Sequence, residues 1–358
     1  MKTSQKLFLH DMHNEQSAKF INFADYRMPL SYKLSTSEEH LWVRSKCGIF
    51  DVSHMGQYLF QSDNPESFFN YITPTNFINT KVNKSKYSVF LNEDSQIIDD
   101  FIATKLSPTS YFVVLNASRK NADLHWLSKY TKKYSCNIKE LQNNSLLSIQ
   151  GPLSQKILSN ILNIDINIDY MSSKYFFFNK QKILISRTGY TGEHGYEVSI
   201  ADPIAPIFFK ALLNDCDVRP IGVGARDSLR LEAGYPLYGA DIGKDFFYAD
   251  SSLAWLHTNK ENFLASKAIN QTKNIRRVGL KLIDKGVLRA GYEVFDENLK
   301  DKIGFITSGC YSPLLKQSIG QCYIKTDILL RKPKKVFVKI RNSFKRVSLS
   351  RLNFINLK

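Results

Sequence analysis

Along the chain, short runs rich in Val, Ile, Phe and Tyr, bounded by Gly, Asn, Asp and Ser, alternate with segments whose apolar residues recur every three or four positions. Buried sheet strands produce the first pattern and amphipathic helices the second, so the chain reads as a mixed α and β protein. Residues 67–72 follow Pro65, and 204–213 follow Pro203, each proline standing where its fixed φ suits the first helical turn. Leu146-Leu147-Ser148-Ile149-Gln150 reads as a strand running into Gly151-Pro152, after which Leu153, Ile157, Leu158, Ile161 and Leu162 mark one face of a helix. Residues 182–187 and 196–200 read as a hairpin joined by the glycine-rich stretch Thr188 to Gly195. Beyond Gln271 the pattern changes to short strand candidates at 278–283, 292–295, 303–307 and 336–340, which predicts a small all-β domain. The polar stretch 270–274 marks the boundary, dividing the chain into residues 1–270 and 271–358.

Composition narrows the class. Among 358 residues, 43% hydrophobic and 13% aromatic side chains suffice for real cores, which excludes global disorder. No apolar run approaches the ~18 residues of a membrane helix, and the first residues lack the apolar stretch of a signal peptide, so no membrane partner and no secretion are expected. Five widely spaced cysteines without a CxxC pair read as buried thiols in a reducing compartment, with no metal site. Lys and Arg (49) outnumber Asp and Glu (33), giving +16, and ten of the basic residues with no acidic one fall in 328–358. There Val336, Val338 and Ile340 alternate with Lys335, Lys339 and Arg341, the period of a half-buried strand with a basic outer face. Such a face serves either as a solvated surface or as a dock for an acidic partner. Nucleic acid is not expected, because Phe337 is nearly the sole aromatic residue interleaved with the charge.

Three stretches carry candidate chemistry. Ile97-Ile98-Asp99-Asp100-Phe101-Ile102 sets two carboxylates in a strand, where they face opposite ways, so one can enter a cleft while the other pairs or caps. Asp51-Val52-Ser53-His54 holds the residue types of a hydrolytic triad, but chain neighbours cannot reach triad geometry, and His54 reads as a hydrogen-bonded structural histidine. Gly222-Val223-Gly224-Ala225-Arg226-Asp227 has two glycines of a dinucleotide fingerprint but Asp at the third, after Val218-Arg219-Pro220-Ile221, a poor strand; no nicotinamide or flavin site is expected. The segment 225–233 reads as a helix with Asp227 at its start, and Arg226 at its entrance suits either a ligand carboxylate or polar edge, or a surface ion pair.

Taken in order, the motifs are more specific than any one alone: Met28-Pro29-Leu30, Gly48 to Gly56 (GIFDVSHMG), Ile98-Asp99-Asp100, Gln150-Gly151-Pro152, Thr188 to Glu193 (TGYTGE), Gly224 to Gly234 (GARDSLRLEAG), Leu237-Tyr238-Gly239 and Thr307-Ser308-Gly309-Cys310. From about Leu7 to the basic tail the chain resembles the aminomethyltransferases, the T-proteins of the glycine cleavage system. The resemblance implies an α+β, three-lobed fold, with two mixed, intertwined α/β subdomains and a C-terminal β-barrel around a central folate site. It implies transfer of the one-carbon unit from an aminomethyl group on the lipoyl arm of H-protein to tetrahydrofolate, the second substrate, with release of ammonia and 5,10-methylenetetrahydrofolate and no metal. By position in the motifs, Asp100 is the catalytic carboxylate. Glu197 is the acidic folate ligand and Arg226 the arginine of the same site, while Tyr87 and Tyr190 are further folate contacts. The end of the chain lacks the family's Pro-Phe-Val-Pro, which leaves Phe354 as the candidate for a contact that a tyrosine normally makes, and Ala24-Asp25-Tyr26-Arg27 departs from the usual Gly-Trp before Met-Pro-Leu.

An alternative is the non-catalytic folate-binding paralogue of iron–sulfur cluster maintenance, which shares the fold. Its Lys-Gly-Cys-Tyr-x-Gly-Gln motif is replaced here by Thr307-Ser308-Gly309-Cys310-Tyr311. Flavin-fused demethylases need more chain than 358 residues provide. A family match beginning near Leu7 leaves no length for an organelle presequence, so the expected location is the bacterial cytoplasm, unless the chain is a mature form from which a presequence has been removed.

Overall fold

The structure, a computed structural model, describes residues 4–258, 260–333 and 335–356. Strand Asn144–Gln150 is buried over nearly its whole length because it lies inside a six-stranded sheet, between Gly195–Ala201 and Cys47–Asp51. The order is Ser173–Phe178, Gln181–Ser186, Gly195–Ala201, Asn144–Gln150, Cys47–Asp51, Val218–Pro220. The hairpin read from the sequence forms, with Leu184 opposite Ser199, Ile185 opposite Val198 and Ser186 opposite Glu197. Helices Ser154–Leu162 and Ala205–Leu213 lay Ile157, Leu158, Phe208, Phe209 and Leu212 on this sheet, where they share a core with Leu147, Ile149, Ile185, Val198 and Ile200. Burying apolar surface at roughly 25 cal/mol per Å² makes that interface the main source of cohesion here.

Two local readings change. Val218–Pro220 is a strand after all, parallel to Cys47–Asp51 at the sheet's edge, a place that tolerates a proline with no N–H to offer the ladder. The helix that follows runs Val223–Ala233, so Asp227 stands in its second turn instead of at its entrance, and its carboxylate takes the Nε of Arg230 at 2.9 Å.

A five-stranded sheet has the order Ser85–Leu91, Ile97–Ser107, Ser110–Leu115, Gly56–Gln61, Asn137–Glu140. Aromatic side chains fill its apolar side, with Phe69 stacked on Phe77 and tilted against Tyr111, both at 5.0 Å between centroids. Gln5–Lys6, Tyr26–Ser31 and Lys19–Phe23 make a small third sheet.

The chain divides into two compact units interleaved along the sequence. One holds Met1–Asn70, Phe77–Ser88 and Asp100–Arg226; the other holds Tyr71–Asn76, Val89–Asp99 and Asp227–Lys358. The second unit contains a closed barrel of Ile275–Leu282, Gln317–Lys325, Lys302–Ser312, Glu293–Phe295, Val336–Ile340 and Ser343–Ser350, the last strand pairing back onto the first. Leu280, Val294, Ile306, Ile324, Val336 and Val338 fill its interior while Lys339 points out, as the alternation in the sequence requires. The expected fold class holds: α+β, with mixed α/β lobes and a closed C-terminal β-barrel. All five cysteines are free thiols; four are buried as expected, whereas Cys216 is exposed.

Candidate active site

Strand Ile97–Ser107 alternates as a two-faced strand must: Asp99 is buried and Asp100 half-buried. Asp100 therefore shares a face with Ile102 and Thr104. Tyr87, on Ser85–Leu91, donates its phenol to Asp100 Oδ2 at 2.9 Å. Asn116, just past Ser110–Leu115, donates its side-chain amide to Asp100 Oδ1 at 2.7 Å and to the Asp100 carbonyl at 3.2 Å. These two donors, one on each oxygen, fix the plane of the carboxylate.

The strand face that carries Asp100 continues, at Ile102 and Thr104, as one wall of a cavity whose other lining includes Phe112, Leu146, Ser186, Thr188, Glu197 and Ser199. Glu197 comes from Gly195–Ala201, and its Oε2 accepts the hydroxyl of Thr188 at 2.5 Å. The glycines of the connection are there for close approach: a Cβ at Gly189 would lie 2.0 Å from Gln150 Oε1, and one at Gly195 would lie 2.4 Å from the same side chain. Gln150 in turn donates to the Thr188 carbonyl at 3.2 Å and accepts from the Thr191 hydroxyl at 3.0 Å, so the strand end at Gln150 holds the turn that presents Thr188 to Glu197.

Arg226 stacks its guanidinium 4.7 Å from the centre of the Tyr190 ring. Its Nη1 is buried and makes no hydrogen bond among the described residues. Burial works against its charge and lowers its pKa, while Glu197 and Tyr190 act to retain the proton. His54 is buried between the edges of Phe23 and Tyr26, at 5.8 and 6.2 Å. Its Nδ1 has no partner among the described residues, which corrects the expectation of a hydrogen-bonded structural histidine. Burial and the nearby Arg226 push its pKa down to about 3, so the ring is neutral at physiological pH. Asp51 does not serve His54 as a triad would. It accepts from His13 Nε2 at 2.8 Å and from the Ser53 hydroxyl; burial alone would raise its pKa, yet these bonds hold it below the ordinary carboxylate range.

Of the residues read from the sequence, Asp100 and Tyr87 thus meet directly, as do Arg226 and Tyr190; Glu197 favours the charge of Arg226 and lines the cavity together with Ile102 and Thr104 from the strand that carries Asp100. Phe354 is in the other unit, its ring packed with Leu231, Cys310 and Ile319 and its N–H donating to the Glu232 carbonyl at 2.8 Å. The sequence pattern gives neither Asn116 nor Thr188 a role. Thr188 opens the TGYTGE motif, so its position was marked though its role was not; nothing in the residues around Asn116 marks it.

The mixed lobes, the cavity lined by Glu197 and the closed barrel each have counterparts in known proteins. Residues 9–260 match the GCVT N-terminal domain, and residues 276–355 match the glycine cleavage T-protein C-terminal barrel domain. A probable mitochondrial aminomethyltransferase of Schizosaccharomyces pombe is 36% identical over 97% of this chain and 92% of its own length. The aminomethyltransferase of Thermosipho melanesiensis is 33% identical over 97% and 96%. A crystal structure of the glycine cleavage system aminomethyltransferase T from Bartonella henselae superposes with a TM-score of 0.92 at 33% identity, covering 99% of both chains. Fold and motifs together define a folate-dependent one-carbon transferase. The chain belongs to the aminomethyltransferase family, the glycine cleavage T-proteins, and its activity is the transfer of one-carbon units in glycine cleavage.

Proposed function

We propose that tetrahydrofolate sits against Asp100, Tyr87, Glu197, Arg226 and Tyr190, and that Asp100 handles the proton of the attacking folate nitrogen. The observation that carries this is the shared wall: the strand face bearing Asp100 runs into the cavity lined by Glu197. The donor in the reaction is an S–CH2–NH2 group on the lipoyl arm of H-protein. Its carbon becomes electrophilic as the amine leaves as ammonia. Two protons leave the folate nitrogens bridged by the new methylene; one ends on ammonia and the other on the freed thiol. A carboxylate held in plane by Tyr87 and Asn116 accepts such a proton and stabilises the cation that develops. Glu197 has acceptor capacity beyond its bond to Thr188 for donors on a pterin edge, and the unpaired Nη1 of Arg226 has a proton to give to a pterin or carboxylate oxygen. Calorimetry with tetrahydrofolate tests the site. Folded protein that binds none at high micromolar ligand overturns it.

H-protein docking on the basic face of the barrel belongs to the same proposal, since a lipoyl carrier of acidic surface would be steered there. Lys335 and Lys339 are exposed, and Lys339 lies near enough to Glu293 to depress that carboxyl's pKa, after the larger effect of Lys302. Lys334 lies outside the described residues. Replacing Lys335 and Lys339 with Gln should raise KM for H-protein a few-fold at low salt and leave kcat unchanged. Raising salt to about 0.15 M, where the Debye length is ~8 Å, should mimic the substitution in the wild type. Unaltered KM and salt dependence would assign this face to solvent.

A further inference from the structure

Glu39 lies on helix Thr36–Ser45, whose start is fixed by a capping box between Ser35 and Glu38. While Glu38 is spent on the cap at the surface, Glu39 turns inward and is 0% exposed. Its two carboxylate oxygens take two backbone N–H groups from distant segments: Oε1 accepts from Tyr32 at 2.5 Å and Oε2 accepts from Gly222 at 2.9 Å. Gly222 stands immediately before helix Val223–Ala233, and its carbonyl takes the N–H of Arg226 at 3.2 Å in the first turn. Its backbone also lies flush on Leu30: a Cβ there would fall 2.1 Å from the Leu30 carbonyl oxygen. The carboxylate thus ties the entrance of the helix that carries Arg226 to the end of strand Tyr26–Ser31.

We infer that Glu39 is a positioning residue for Arg226, and that its ionised form is the one that holds the arginine in place for folate. This rests on Arg226 serving the folate. The chemistry is a count of acceptors. An ionised carboxylate offers a good acceptor to each of two N–H donors; a protonated one keeps a single good acceptor and turns an O–H donor toward one of those N–H groups. The positive end of the helix macrodipole favours the ionised form as well. Burial opposes it and raises the Glu39 pKa to about 7, the two backbone bonds resisting that rise, so the clamp changes state within the physiological range. Tyr32 bonds Glu39 through its N–H, and Glu38, His40 and Arg44 share its helix; beyond Tyr32 stand His13, bonded to the Tyr32 phenol at 2.9 Å, and Asp51. A pH response owed to any of these survives removal of the Glu39 charge.

The sign separates positioning from stability. A carboxyl whose pKa rises on folding contributes stability that is full below its unfolded value near 4.5 and is lost as pH rises toward 7. Stability therefore falls with pH in the window where the clamp, and with it folate affinity, should strengthen. A merely structural carboxyl would move stability and leave affinity alone.

The test is calorimetry with tetrahydrofolate from pH 6 to 8.5 on wild type and Glu39→Gln, beside amide hydrogen exchange at Gly222, corrected for the intrinsic pH dependence of exchange. Wild-type affinity should fall about tenfold between pH 8 and 6, in step with the ionised fraction, and Gly222 protection should fall with it. Glu39→Gln should bind at the acid-limit affinity throughout, with flat protection. Wild-type affinity in Glu39→Gln, or the wild-type slope retained in it, overturns the inference. So does a pH-independent Gly222 amide in the wild type. If folate does not bind but Gly222 protection falls with acid in the wild type alone, the clamp stands and the assignment of the folate site fails. Should Glu39→Gln not fold, Glu39→Asp takes its place: its side chain is one methylene too short to reach both amides, so it too should show weak, flat binding.

Discussion

Asp100→Asn should lower kcat on the order of 10²-fold or more while tetrahydrofolate affinity changes only a few-fold, because the amide keeps the shape of the carboxylate and loses its capacity to take a proton. The structure sharpens this beyond the choice of residue. Tyr87 and Asn116 each place a donor on one carboxylate oxygen, so an amide at position 100 must turn its NH2 toward one of them. The Tyr87 hydroxyl can rotate and accept, whereas the Asn116 amide nitrogen cannot. The variant should therefore settle with its NH2 toward Tyr87, and Tyr87→Phe in that background should cost little more. In the wild type, Tyr87→Phe should cost less than Asp100→Asn, since it loosens the carboxylate without removing it. Asp99→Asn is the control for position, as Asp99 is buried on the opposite face of the strand. Steady-state kinetics with H-protein and folate varied separately reads all four. Equal kcat for Asp100→Asn and wild type would remove Asp100 from the chemistry.

Much of the fold was legible because its signals are local. Strand Asn144–Gln150, helix Ser154–Leu162 and the 336–340 alternation each announce themselves by periodicity, and the ordered motifs locate Asp100, Glu197 and Arg226. What was missed depends on partners far away in the chain. Val218–Pro220 is a strand only because Cys47–Asp51 lies beside it. His54 sits in a motif that suggests hydrogen bonds, yet Asp51 spends its oxygens on His13 and Ser53, and the imidazole is left between two rings. Glu39 is the sharpest case. In Ser35-Thr36-Ser37-Glu38-Glu39 two glutamates in a row read as the acidic first turn of a surface helix. Only the i, i+4 relation of Glu39 to the buried Val43 hints that one of them faces inward, and the sequence holds no sign that Gly222 waits there.

Glu197→Gln should weaken tetrahydrofolate binding roughly 5- to 10-fold for each hydrogen bond it makes to the ligand, the loss expected when charge-assisted bonds worth about 1.5–3 kcal/mol become neutral ones worth about 0.5–1.5 kcal/mol. Two features of the site set the size. The Thr188 hydroxyl commits Oε2 and so orients the group, leaving Oε1 for the ligand. Removing the charge also leaves Arg226, already disfavoured by burial and beside the neutral His54, without the carboxylate that helps keep it protonated. Part of the loss thus comes through Arg226, and Arg226→Lys, which gives up the planar fork and the stacking on Tyr190, should be less than additive with Glu197→Gln. Thr188→Val should produce a milder weakening, because it frees the carboxylate to rotate but leaves it ionised. The measurement is a double-mutant cycle on folate affinity for positions 197 and 226, with thermal unfolding run alongside. Coupling in affinity with unchanged melting places both side chains on the ligand. Unchanged affinity with lowered melting would make the pair a structural ion pair and move the pterin elsewhere.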